Sequence, residues 1–169
     1  MVVDDTPANV KLLVDLLEVS GYAAIAATTG EEALGLIADE VPDLVLLDIM
    51  MPGMSGYEVC EKLRADPVTE LLPIVLCTSL DPQKERIKGI EVGADDFITK
   101  PINRAELMAR VKSLLRIKHL QDEVHAQASE LAKWNEELEM RVNEQVTQLE
   151  RMGRLKGFFS PQLAQAIVE

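Results

Sequence analysis

The sequence predicts an α/β fold: a doubly wound, five-stranded parallel sheet followed by one long C-terminal helix. Two observations predict it. Over residues 1–118, five short apolar runs alternate with segments of helical periodicity. From Ile102 to Met152 the chain then contains neither proline nor glycine. Because the apolar runs are almost unbroken, we expect helices on both faces of the sheet, and right-handed crossovers then give a three-layer sandwich.

Each predicted strand is a short apolar run that ends at a polar residue or a turn. The predicted strands are residues 1–3, 23–27, 44–47, 74–77 and 97–99. Thr6 and Pro7 are the predicted N-cap and first residue of helix one, which stops at Gly21. Thr29 and Glu32 form a predicted capping box for helix two, which runs to about residue 40. The third and fourth helices are predicted at residues 55–65 and 82–92.

The charge balance excludes several classes of function. Seventeen Lys and Arg against 29 Asp and Glu give a net charge of −12, which argues against binding to nucleic acid or to an anionic membrane surface. No apolar run approaches the roughly 20 residues of a membrane span, and the N-terminus has no signal-peptide pattern. Two cysteines form neither a disulfide framework nor a metal cluster. We therefore expect a cytoplasmic protein.

The C-terminal segment carries a heptad repeat. Asn103 is the predicted N-cap of a fifth helix of about 50 residues, and its apolar seam repeats every seven residues until a four-residue stutter separates Leu138 from Val142. The seam residues are Ile117, Leu120, Val124, Leu131, Trp134, Leu138, Val142, Leu149 and Met152. Since a lone helix cannot bury such a stripe, we expect a parallel homodimeric coiled coil, with a solvated charged helix as the alternative. The predicted divisions are 1–118, 119–152 and 153–169.

Polar residues follow four of the five predicted strands. Asp4 and Asp5, Asp48, Thr78 and Lys100 all fall at carboxyl ends of strands, where the crevice of such a sheet lies. Three converging carboxylates without His or Cys suit a hard cation, most simply Mg²⁺. One of them could act as a nucleophile that accepts a phosphoryl group. Taken singly, each residue could instead be a helix cap, a turn residue or a solvated surface charge.

Four segments resemble the receiver domain of two-component response regulators over residues 1 to about 118. They are residues 2–5 (VVDD), 46–56 (LLDIMMPGMSG), 78–79 (TS) and 93–101 (GADDFITKP). The resemblance implies the flavodoxin-like receiver fold, with Asp48 as phospho-acceptor for a sensor histidine kinase or phosphotransfer protein. It also implies Mg²⁺ bound directly by Asp5, Asp48 and the Met50 carbonyl, and through water by Asp4.

The same resemblance assigns the remaining site residues. Thr78 would be the switch hydroxyl, Phe97 the switch aromatic and Lys100 the partner of the phosphoryl group. The Lys100–Pro101 peptide bond would be cis. The first strand is shorter than is usual in the family, so that strand or the start of the chain could be truncated.

The end of the chain resembles the segment that precedes the output domain in response regulators with a class III adenylate or guanylate cyclase. Residues 157–164 (GFFSPQLA) carry this resemblance. We therefore expect a signalling domain, not itself an enzyme, that controls an output domain absent from this chain. A different output, such as a diguanylate cyclase, is the alternative. An aspartyl-nucleophile phosphatase, which needs a second Asp where Met50 stands, and a flavodoxin-like cofactor binder are more remote.

Overall fold

The computed structural model describes residues 1–79, 89 and 91–158, without the side chains of residues 155–158. The strands in this part of the chain are β1 (Val2–Val3), β2 (Ala26–Ala27), β3 (Val45–Asp48), β4 (Ile74–Thr78) and β5 (Asp96–Thr99). They form one sheet of order β2-β1-β3-β4-β5, in which each neighbouring pair is parallel. The predicted doubly wound fold is confirmed.

The strands differ from the predicted ones mainly at their ends. β2 has two residues where five were predicted, because β1 offers two residues to pair with it, at Val2↔Ala26 and Val3↔Ala27. β3 and β4 each continue one residue further than predicted, to Asp48 and Thr78. These two polar residues therefore belong to strands, whose hydrogen bonds fix their backbones.

The helices in the described part of the chain are α1 (Pro7–Val19), α2 (Gly30–Asp39), α3 (Gly56–Ala65) and α4 (Arg104–Phe158). Thr6 is the N-cap residue of α1, but its side chain makes no capping hydrogen bond and instead donates to Asp5 at 3.2 Å. At α2, the Thr29 hydroxyl accepts from the Glu32 amide as predicted. The Glu32 carboxylate, however, accepts from the amide and hydroxyl of Thr28, one residue before the expected partner.

Buried side chains alternate between the two faces of the sheet. Val3, Leu47 and Leu76 pack against α2 and α3 in one cluster. Their strand neighbours, such as Leu46 and Val75, pack in a second cluster with α1 and the first turns of α4. The alternation follows from the two-residue repeat of a strand. Helices therefore cover both faces of the sheet, as the continuous apolar runs predict.

α4 is one helix of 55 residues, and Asn103 caps it by accepting from the amides of Ala105 and Glu106. It continues beyond the predicted end at Met152, through Gly153, because an isolated glycine lowers helix stability without ending the helix. The chain divides into compact units at 1–121 and 122–169. The helix predicted at 82–92 lies mostly outside the described residues, and so does the segment 157–164, of which the structure describes only residues 157 and 158.

Among the described residues, no helix combines the length and the apolar composition needed to cross a membrane.

Candidate functional site

The predicted polar residues meet at the carboxyl edge of the sheet. Asp4 follows β1, Asp48 ends β3, and Lys100 follows β5. Thr78 ends β4, and its carbonyl accepts the Lys100 amide at 2.7 Å. Because β1 and β3 are neighbours in the sheet, residues that are 44 positions apart in sequence reach the same pocket.

Lys100 joins two buried carboxylates. Its Nζ donates to Asp4 Oδ2 at 2.7 Å and lies 2.9 Å from Asp48 Oδ2. The side chains of Asp4 and Asp48 are 1% and 7% exposed, so hydration stabilises the negative charge of neither carboxylate to a large extent. One ammonium group therefore offsets the charge of two carboxylates in a poorly hydrated pocket.

Asp4 has further hydrogen-bond donors from the start of α1. Its Oδ1 accepts from the Thr6 amide at 2.9 Å, and Asn9 Nδ2 lies 3.0 and 3.1 Å from its two oxygens. Asn9 is not among the site residues predicted from the sequence. Its position in the first turn of a helix that follows an acidic strand end was the available signal.

The acidic residues fit a hard cation. One oxygen from each of Asp4, Asp5 and Asp48 can be chosen so that all three lie within 4.8 Å of one another. Asp5 is exposed at the mouth of the pocket, whereas the other two are buried. An all-oxygen set of this kind, open to solvent on one side, is the donor chemistry that Mg²⁺ prefers, since it keeps several of its waters.

Burial and Lys100 act in opposite directions on Asp48. Burial raises the pKa of its carboxyl, Lys100 and the Met50 backbone N–H lower it, and the net result is a raised pKa. At Lys100, burial lowers the pKa, but hydrogen bonds and charges from Asp4 and Asp48 outweigh it, so that this pKa is raised. The ammonium therefore stays charged at neutral pH, beside a carboxylate that is costly to ionise.

The profile of the response regulator receiver domain matches residues 1–112. The chain belongs to this family. Response regulator PleD of Caulobacter vibrioides is 50% identical over 124 residues, which are 73% of this chain and 27% of that protein. The regulatory protein PhoP of Bacillus subtilis is 42% identical over 142 residues, 84% of this chain and 56% of that protein. The chain thus spans between about a quarter and about half of these relatives.

Solved structures give the same result. A response regulator from Chloroflexus aurantiacus superposes with a TM-score of 0.66 at 37% identity, covering 68% of this chain and 94% of that one. The receiver domain of a histidine kinase from Syntrophus aciditrophicus superposes at 0.64 with 36% identity, covering 68% and 87%. The receiver unit of this chain therefore corresponds to an almost complete receiver fold.

The receiver's expected switch residues lie on the two strands beside the site. Thr78 is fully buried at the end of β4. Phe97, in β5, is partly buried against the cluster that contains Leu76. The Lys100–Pro101 peptide bond is cis, as the resemblance implies. The expected ligand role of the Met50 carbonyl stays a prediction.

Gly56 packs directly against the backbone of Asp48, the expected phospho-acceptor. Its amide donates to Ile49 at 3.0 Å, and a Cβ at this position would lie 2.2 Å from the Asp48 carbonyl oxygen. Any side chain here would displace the end of β3 or the start of α3. A complete Ser55–Glu58 capping box fixes that helix start. Gly56, the last residue of the segment 46–56, is thus a packing requirement of the site.

The two aspartates in segment 93–101 serve the fold. Asp95 Oδ2 accepts from the Ile74 amide and from Arg64, each at 2.7 Å. Asp96 pairs with Arg110 of α4. Neither carboxylate belongs to the acidic cluster that the described residues form.

Proposed function

We propose that this receiver accepts a phosphoryl group on Asp48, in a Mg²⁺-dependent reaction, from a sensor histidine kinase or phosphotransfer protein. The observation that carries the proposal is the placement of Lys100 at 2.9 Å from a buried Asp48, beside two more carboxylates. Such a pocket combines a nucleophile with opposite charge for the incoming group. A site of this kind needs no substrate pocket of its own, because the phosphodonor protein brings the group.

Each residue has a separate task in the transfer. An Asp48 carboxylate oxygen attacks phosphorus, an acyl phosphate bond forms, and the bond from phosphorus to the donor imidazole nitrogen breaks. Asp5, Asp48 and the Met50 carbonyl would hold Mg²⁺ directly and Asp4 through water, and the ion would offset charge on the phosphoryl oxygens. Lys100 is placed to move from the carboxylates to a phosphoryl oxygen. Thr78 supplies a hydroxyl at the neighbouring strand end.

The signal would leave the site through β4 and β5. Capture of a phosphoryl oxygen by Thr78 would draw this residue inward, and Phe97 would turn toward the core in the space that this opens. This is a shift of population between two packings. Thr78→Ala should therefore accept phosphate yet transmit poorly to an attached output domain.

The receiver would act as a cytoplasmic signalling module on an output domain beyond residue 169. We propose a parallel coiled-coil homodimer through α4 and a class III nucleotide cyclase as the output, because the segment 157–164 resembles the approach to such a domain. A diguanylate cyclase is the second candidate. The receiver would catalyse its own phosphorylation and dephosphorylation. Both reactions would belong to the signalling cycle and not to metabolic catalysis.

The test is adduct mapping on the intact chain with acetyl phosphate and Mg²⁺. We expect one phosphorylated residue, Asp48, and no adduct in EDTA or in Asp48→Asn. Asp15→Asn, the same change on an exposed residue of α1, is the matched control and should phosphorylate as wild type. Modification that persists in Asp48→Asn would overturn the assignment. Rapid multiple turnover of an aryl phosphate would favour the phosphatase alternative.

A further inference from the structure

Phe97 and α4 lie on opposite faces of the sheet. Phe97 packs with the cluster of α2 and α3. The next residue, Ile98, is fully buried in the other cluster together with Leu107 and Val111 of α4. The strand therefore separates a ring that turns on one face from the helix anchored on the other, and a group that reaches around the strand would link the two.

Arg110 makes that connection. β5 is at the end of the strand order, so a long side chain from α4 can pass around it. The guanidinium carbon of Arg110 lies 5.8 Å from the centre of the Phe97 ring, within cation–π range. Leu107 and Val111, three residues before and one after, are 0% and 2% exposed, so the helix backbone that carries Arg110 is fixed by the core.

Two carboxylates hold the guanidinium over the ring. Asp96 pairs with Arg110 Nη1 and also accepts the Phe97 amide at 2.9 Å. Glu106 Oε1 accepts from Nη2 at 2.8 Å, one turn earlier on α4. The planar fork of an arginine can satisfy both carboxylates and still present a face to an aromatic ring, which a lysine cannot do. The Arg110 side chain is 29% exposed, so the contact is partly shielded from water.

We propose that Arg110 is a positioning residue that holds the Phe97 ring in its resting place and couples its movement to α4. The inference rests on the proposed function, since it assumes that phosphorylation turns Phe97. Arg110 touches neither Asp48 nor the acidic cluster in the described structure, so it acts on the switch and not on the chemistry. When the ring turns, the contact with the guanidinium breaks, and the helix that leads to the output loses one of its ties to β5.

The experiment follows the ring directly by ¹⁹F NMR. The chain has three phenylalanines, so 4-fluorophenylalanine labelling gives few signals, and Phe97→Leu assigns one of them. Beryllofluoride with Mg²⁺ mimics the phosphoryl group, and adduct formation at Asp48 is measured separately. In wild type, we expect the Phe97 signal to move when the adduct forms. In Arg110→Ala without adduct, we expect it to move part of the way to that position.

The same variant should need less beryllofluoride for half-saturation, by about two- to fivefold, because a cation–π contact at a partly exposed site is worth about 0.5–1 kcal/mol. Arg110→Lys keeps the charge and should give an intermediate result even if Arg110→Ala folds poorly. Lys112→Ala, which removes an exposed cation two residues further along α4, is the matched control and should behave as wild type.

Two results would overturn the inference in distinguishable ways. If Asp48 forms the adduct and the wild-type ring responds, but Arg110→Ala and Arg110→Lys match wild type in both readouts, Arg110 does not position the ring. If the adduct forms and the wild-type ring does not respond, the switch itself is wrong and the inference fails with it, while Asp48 remains the acceptor. Failure of adduct formation would instead refute the proposed function.

Discussion

At Asp48, burial destabilises the charged carboxylate more than its neighbours stabilise it. The pKa of this carboxyl is therefore raised despite the nearby Lys100 ammonium. A raised pKa means that the folded chain binds more protons than the unfolded chain between the unfolded value, near 3.8, and the folded value. The free energy of unfolding therefore falls as the pH rises through that interval. The buried Asp48 carboxylate, which we propose as the phospho-acceptor, is thus kept at the expense of stability, as is common at functional sites.

The first prediction follows from that balance. Asp48→Asn should raise the melting temperature in EDTA at pH 7, because the amide carries no charge to desolvate, and the gain should shrink as the pH falls through the raised pKa of Asp48 towards the unfolded value near 3.8. Thermal unfolding of both proteins across this pH range measures it. Asp15→Asn, on an exposed face of α1, should show no such pH-dependent gain. A lower melting temperature of Asp48→Asn at pH 7 would contradict the prediction.

The second prediction concerns Lys100, which lies between two buried carboxylates. Lys100→Met should lower the free energy of unfolding in EDTA by about 3 kcal/mol, since removing one partner of a buried ion pair leaves uncompensated charge. Saturating Mg²⁺ should restore part of this loss, because a cation in the acidic cluster replaces the missing ammonium. Urea unfolding with and without Mg²⁺ measures both effects. An equal loss in the two conditions would show that Mg²⁺ does not bind beside Asp4 and Asp48.

At the scale of the element, the apolar seam of α4 and the charges beside it both bear on how two chains would pair. Every seam residue from Ile117 to Met152 is about half exposed or more in the single chain. Beside the seam, three glutamates repeat at seven-residue spacing at the positions written g in a heptad that starts at Ile117: Glu123, Glu130 and Glu137. In a parallel pair Glu123 and Glu130 face Ala128 and Asn135, whereas in an antiparallel pair the glutamate rows face each other. Charge therefore favours the parallel orientation.

The third prediction tests this orientation. Val124→Cys, towards one end of the seam, should form a disulfide between two chains under mild oxidation, since equivalent seam positions meet in a parallel coiled coil. In an antiparallel pair the two cysteines would lie on the order of 30 Å apart, at 1.5 Å per residue. Ser129→Cys, on the opposite side of the helix, is the control and should cross-link poorly. The native Cys60 and Cys77 are buried and do not compete for the disulfide.

Non-reducing electrophoresis measures the fraction of cross-linked dimer. Efficient cross-linking of Ser129→Cys alone would exclude the predicted seam.

At the scale of the whole molecule, we expect the receiver unit and the seam to have separable roles. The fourth prediction is that the intact chain sediments as a dimer at micromolar concentration, with or without phosphorylation, and that a chain ending at Lys118 sediments as a monomer. Each fully buried seam valine or leucine contributes about 1.5–3 kcal/mol, so several layers outweigh the cost of association. The truncated chain retains residues 1–112, which match the receiver-domain family. A monomeric intact chain, or an equally tight dimer after truncation, would remove the coiled coil from the mechanism.

The stutter between Leu138 and Val142 would give the proposed dimer a place where its supercoil locally unwinds. Phosphorylation would then change the twist or register of an existing dimer, which suits a class III cyclase because its active sites form between two subunits. The two positions are four residues apart, against seven in the repeats on either side. Deleting residues 139–142, which places Leu149 seven residues after Leu138, should leave the predicted dimer intact and weaken the response of an attached output domain.

The sequence by itself determined the fold class, the five strands and the strand ends that carry the site. Apolar runs and capping residues are local patterns, and parallel strands place their carboxyl ends at one edge whatever their exact pairing. Asp4, Asp48, Thr78 and Lys100 were therefore predictable, and so was Asn103 as a helix cap. The ends of the strands were less predictable. β2 is short because its partner β1 offers only two residues for pairing, and the length of a strand depends on both partners.

The tertiary structure alone decided which partners these residues have. Asn9 binds Asp4, Gly56 packs on the Asp48 carbonyl and Arg110 reaches Phe97, and none of these contacts follows from periodicity or composition. Each depends on a distance between elements that the chain brings together only on folding. The sign of the pKa shift at Asp48 belongs here too, because burial and Lys100 oppose each other and only the folded geometry determines which prevails.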